Sequence, residues 1–90
     1  MTISAQIQFI PLHSDMPMSR VDEAIAIIQA SGVIFSVGPF GTSVEGERGV
    51  INELVLQLQN LKTTPEFLLI VQYHLGENRL SNDEKVAKFQ

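Results

Sequence analysis

Residues able to do chemistry are few in this chain and thinly spread. His13 and His74 stand far apart, and neither has a partner pattern nearby. Cysteine is absent. Without thiolates or a histidine pair, a chain is poorly equipped to hold a transition metal, so no metal site is expected. Glu45 and Glu47 would share one face of a strand, as a pair of working carboxylates might. No nucleophile, acid or metal ligand accompanies them, and no catalytic residue is assigned. Gly38-Pro39-Phe40-Gly41 is rich in glycine, but it lacks the lysine of a phosphate loop and does not lead directly into a helix. It reads as a hairpin turn. Phe35 and Phe40 read as core or rim residues in preference to a ligand cage.

The elements that must carry these residues are legible from periodicity. Ile3, Ala5, Ile7 and Phe9 alternate with Ser4, Gln6 and Gln8, which predicts a half-buried strand from Ile3 to Leu12. Pro11 closes it, because proline cannot donate to a ladder. His13 to Met18 reads as a loop, and Ser19 as the helix cap that follows, with Asp22 and Glu23 in the first turn. Val21, Ala24, Ile25 and Ile28 form one apolar helix face, and Gly32 suits a left-handed C-terminal position. Val33 to Val37 and Thr42 to Glu47 are predicted as a hairpin. A second helix is expected from Arg48 to Leu61, with Val50, Leu54, Leu58 and Leu61 inward, flanked by Ile51 and Val55. Glu66 to Leu75 is the last strand. Ser81-Asn82-Asp83-Glu84 has the spacing of a capping box before a short tail helix.

Strand, helix, strand, strand, helix, strand is the order of an α+β, ferredoxin-like βαββαβ sandwich. It predicts a four-stranded antiparallel sheet with two helices on one face. One domain accounts for all 90 residues. A domain so short buries only about 60 % of its unfolded surface, and with no disulfide available, self-association is the natural source of further stability. The beginning of the chain carries no signal-peptide pattern and no run approaches the length of a membrane span, so a cytoplasmic location is expected. Net charge is −4, and the six basic residues are scattered. Without a basic stripe, nucleic acid is not the expected partner.

The helices can cover only one side of the sheet. Ile3, Ala5, Ile7 and Phe9, with Phe67, Leu69, Val71 and Tyr73, belong beneath them. The other side then carries Ser4, Gln6, Gln8, Gln72 and His74, with Ser36, Ser43 and Glu45, among Ile10, Ile34, Leu68 and Ile70. A solvated face would be richer in lysine and glutamate. Glutamine, serine and aliphatic side chains suit a subunit interface or a polar pocket.

The run Ser31-Gly32-Val33-Ile34-Phe35-Ser36-Val37-Gly38-Pro39-Phe40-Gly41-Thr42-Ser43-Val44-Glu45-Gly46-Glu47 resembles the signature of the small thiamine-binding protein family. The resemblance extends to Ile10-Pro11-Leu12 and to Asp83-Glu84-Lys85-Val86, and so covers essentially the whole chain. It implies a ferredoxin-like fold and a homo-oligomer, either a dimer or a dimer of dimers. It also implies binding of thiamine or its hydroxymethylpyrimidine part without catalysis, for storage, salvage or delivery of vitamin B1, with no further cofactor. Carried over by position, it points to Thr42 and Glu45 as ligand-binding residues, supported by Ser36, Phe40 and Gly41. A carboxylate can accept from an aminopyrimidine, a hydroxyl can serve its ring acceptors, and an aromatic face can hold a flat ring or a cation. Simple alternation places Thr42 and Glu45 on opposite sheet faces, so one ligand reaches both only if the strand bends near Gly41. Two other readings compete: a regulatory domain sensing a different small molecule, and a cofactor-free enzyme of the dimeric ferredoxin-like type with His74 as its visible candidate.

Overall fold

The computed structural model describes all 90 residues. Strands β1 (Thr2–Pro11), β2 (Ile34–Val37), β3 (Thr42–Glu47) and β4 (Phe67–His74) form one sheet in the order β2-β3-β1-β4. All neighbours are antiparallel. Helices α1 (Pro17–Ala30) and α2 (Arg48–Gln59) follow β1 and β3, and a short α3 (Asn82–Val86) runs into a 3₁₀ turn, Ala87–Phe89. This is the βαββαβ arrangement that the sequence predicts.

Both long helices owe their inner faces to the expected spacing, with two adjustments. α1 begins at Pro17, two residues before Ser19, and Met16 is its flanking residue without a side-chain cap. Proline has no N–H to leave orphaned in a first turn and its φ is already helical, so it starts the helix where a serine cap was expected. Asp22 and Glu23 consequently lie beyond the first turn. Glu23 instead pairs with Arg20 at 2.6 Å and accepts from the Thr63 hydroxyl, tying α1 to the loop before β4. At the other end Gly32 adopts φ +83°, the left-handed stop that the sequence asks for. In α2 the buried stripe is Ile51, Leu54, Val55 and Leu58, while Val50 is exposed. Leu54 and Leu58 are buried and Leu61 packs against the core as expected, so only Val50 departs from the expected stripe, and the flanking Ile51 and Val55 are buried in addition.

The core lies between the helices and one face of the sheet. Ile3, Ala5 and Ile7 of β1, Val44 of β3, Ile28 of α1 and Leu54 and Leu58 of α2 are all buried there. Burying a Leu or Ile side chain stabilises a fold by about 1.5–3 kcal/mol, so these few residues carry most of the driving force. Phe9, Leu69 and Val71 are partly buried against the same cluster. Tyr73, expected under the helices, is 41 % exposed on β4, an edge strand.

Candidate functional site

The strand register sorts the polar residues of the second sheet face into two rows. Ser4 of β1 lies between Glu45 of β3 and His74 of β4, and Ile34 of β2 extends this row beyond Glu45. The next row reads Ser36, Ser43, Gln6, Gln72 across the four strands. Side chains opposite one another in antiparallel strands stand about 4.5–5.5 Å apart at Cβ, so the second row, and the first from Glu45 to His74, are continuous lines of hydrogen-bonding groups. Further along, Gln8 opposes Ile70 and Ile10 opposes Leu68, and those three aliphatic side chains are exposed.

The segment after β4 returns over the first row and roofs it. Arg79 Nη1 lies 2.7 Å from Glu45 Oε2, 2.6 Å from Ser4 Oγ and 3.0 Å from the Leu80 carbonyl, while its Nε donates to the Thr2 carbonyl at 3.3 Å. Asn82 donates its backbone N–H to Glu45 Oε1 at 3.3 Å and its side-chain amide to the Val44 carbonyl at 3.2 Å. The side chains of Arg79 and Glu45 are only 7 % and 10 % exposed. A charge removed from water this far needs its partner and its hydrogen bonds. Ser81 starts α3 with the predicted capping box: its hydroxyl accepts from Glu84 N at 3.1 Å, and Glu84 accepts from Ser81 N at 2.8 Å. The bonds from the Ser81 backbone and hydroxyl hold the Glu84 carboxyl below the usual carboxylate range. Farther along α3, Lys85 Nζ contacts His74 Nδ1 at 2.5 Å.

Between this roof and the second row lies a cavity of about 220 Å³. Gln6, Ser43 and Gln72 form its floor, and Asn82, Lys85 and Val86 border it along α3, leaving it open to solvent, with Gln6, Gln72 and Val86 exposed. The carboxamides and hydroxyl offer both donors and acceptors, so the cavity can satisfy a heterocycle that carries both. Its volume is below the range usual for drug-sized ligand sites, which suits one substituted ring inside it with the remainder of a longer ligand outside.

The five residues singled out in the sequence do not meet in one place. Thr42 is buried on the helix side, opposite Ile7 and Val37, and no bend at Gly41 turns it over. Glu45 is on the open side, with both carboxylate oxygens already engaged by Arg79 and Asn82. Ser36 extends the second row from the edge strand. Phe40 projects from the turn, 83 % exposed, and its carbonyl accepts from Gln8 Nε2 at 2.9 Å. Gly41 packs so tightly on β1 that a Cβ would stand 3.1 Å from Gln6 Nε2, Gln8 Cγ and the Ile7 carbonyl. Its smallness lets the Gln6 side chain lie where it does. Arg79, Asn82 and Lys85 escaped sequence reasoning, which read Asn82 only as part of a capping box and assigned Arg79 no role. The one available signal was Glu45 itself: a carboxylate on an otherwise uncharged strand face requires a cation, and local periodicity cannot say which.

Three comparisons agree with this architecture. A UPF0045 protein of Clostridium perfringens is 29 % identical over 93 residues, covering 99 % of this chain and 98 % of its own. A candidate thiamine biosynthesis/salvage protein of Thermotoga maritima superposes with a TM-score of 0.91 at 27 % identity, over 100 % of both chains. A domain of unknown function from Bacillus cereus gives 0.86 at 28 % identity, over 99 % of this chain and 90 % of that one. The pattern of the thiamine-binding proteins matches residues 5–89, and the chain belongs to that family.

Proposed function

We propose that this protein binds thiamine or its hydroxymethylpyrimidine part without transforming it, in the cavity between the second polar row and α3. The observation that carries the reading is the uncharged floor of Gln6, Ser43 and Gln72. An aminopyrimidine presents a donor amine beside ring-nitrogen acceptors, and a carboxamide matches that pattern with one acceptor and two donors. Family membership supports the ligand class. Glu45 acts from one row away: by holding Arg79 and Asn82 it fixes the roof over the ring. Ser36 and Gly41 support the floor. Thr42 serves the packing of β3 beneath the helices.

The protein works as a homo-oligomer in the cytoplasm, with no cofactor besides its ligand, in vitamin B1 storage, salvage or delivery. Ile10, Leu68 and Ile70 beside the cavity, and Ile34 and Val37 on the β2 edge, are exposed aliphatics that a second copy would cover. Phe40 is available to the same contact.

Isothermal titration of the full chain with thiamine tests the reading, with Gln72→Ala and Glu45→Ala alongside. Saturable heat that weakens about tenfold in Gln72→Ala, a change equivalent to one hydrogen bond of the usual strength, is the expected result. Absence of heat with both thiamine and hydroxymethylpyrimidine in the wild-type protein would overturn it.

A further inference from the structure

The cavity is not electrically neutral, and its charge has the wrong sign for thiamine alone. Of the ten residues that line it, Lys85 is the only one carrying a full charge, and no aspartate or glutamate is among them. Glu45 lies close by but is engaged by Arg79, so its charge is already answered. Lys85 is held in place by its contact with His74 Nδ1. The His74 ring lines the cavity beside it. One corner of the cavity therefore has donors and positive charge, while the floor is polar and uncharged. Thiamine carries a permanent thiazolium cation, which Lys85 repels. A chain of net charge −4 that keeps a lysine at its small cavity has placed it against the trend of its own surface.

We infer that the preferred ligand is a phosphate monoester, with its ring on Gln6, Ser43 and Gln72 and its phosphate at Lys85 and His74. Lysine serves phosphate as a compact point charge, and charge-assisted hydrogen bonds are roughly twice as strong as neutral ones. Esterification changes the sign of the encounter: the pyrimidine monophosphate holds its anion one methylene from the ring and brings no opposing cation, whereas thiamine monophosphate carries its anion beyond the thiazolium. This inference rests on the reading of the cavity as a thiamine-type site, and its test separates the two.

The experiment titrates the full chain with hydroxymethylpyrimidine, its monophosphate, thiamine, thiamine monophosphate and inorganic phosphate. Wild type, Lys85→Met and Lys85→Arg are compared. The pyrimidine monophosphate is expected to bind at least about tenfold tighter than hydroxymethylpyrimidine in wild type, as one charge-assisted bond provides. That preference vanishes in Lys85→Met and persists in Lys85→Arg, which also shows that α3 remains in place. Equal affinity for ester and alcohol in wild type, or a preference that survives Lys85→Met, would overturn the inference and leave the thiamine reading standing. Inorganic phosphate that binds through Lys85, while neither ring compound binds, would keep the anion corner and remove the thiamine reading. Silence from all five compounds removes both.

Discussion

Replacing Arg79 by methionine strands Glu45, and the cost can be bounded from the structure. The two side chains are 7 % and 10 % exposed and 2.7 Å apart. The substitution removes their ion pair and the bonds to Ser4 Oγ and the Thr2 carbonyl, while the long apolar stem is kept. Breaking a buried pair from one side typically costs about 3–5 kcal/mol, because the remaining charge is left without compensation. Relaxation lowers this figure: the Asn82 backbone N–H still reaches Glu45, and α3 can lift to admit water. We expect about 3 kcal/mol. For a domain of this size each kcal/mol is worth roughly 4–8 °C in Tm, so melting should fall by roughly 12–24 °C at fixed protein concentration. Glu45→Gln in the same background removes the stranded charge and should restore most of the loss. Urea denaturation of the four members of the double-mutant cycle measures the coupling, expected at about 2 kcal/mol or more. A loss under about 0.5 kcal/mol for Arg79→Met would place the pair among ordinary surface ion pairs and refute its role as the roof's anchor.

Two further outcomes follow from named contacts. Gly41→Ala puts a methyl 3.1 Å from the Ile7 carbonyl, which is fixed in the sheet, and should cost about 1–3 kcal/mol in chemical denaturation while displacing Gln6 from the cavity floor. Acidification should free α3 ahead of global unfolding. The folded-state Glu84 carboxyl is held below its ordinary value, so its contribution is fully present above that value and is lost as pH falls through the lowered one. Amide exchange at Ser81 and Glu84, accelerating in that acid window before the core amides respond, is the result that checks it.

The sequence disclosed what repeats locally. Alternation in β1 and β4 told which face holds Ile3, Ile7 and Leu69, and the structure puts them against the helices. Gly32 and the Ser81–Glu84 box are signals within four residues, and both are found. The start of α1 was misplaced because two adjacent cues, Pro17 and Ser19, competed and the stronger backbone constraint won. In α2 only Val50 departed from the expected stripe, because a mixed run of Val50, Ile51, Leu54 and Val55 supports two neighbouring faces, and tertiary packing chooses between them. The open face was readable as a polar one, and the strand register sorts it into rows. Its roof was not, because the Arg79–Glu45 pair joins residues far apart in the chain, and pattern within a window carries no information about such a meeting.

The strand order has a consequence in time. β1 is made first, yet in the sheet it lies between β3 and β4, and β4 is the last strand made. The central strand must therefore wait, unflanked on one side, until most of the chain exists. Pairings of such long sequence separation are slow to form, because the loop between them must be closed before any contact rewards it. The cavity waits longer still, since Arg79, Asn82 and Lys85 are added after the sheet's last strand. A nascent chain can thus own a complete core and a solvated Glu45 before it owns a binding site.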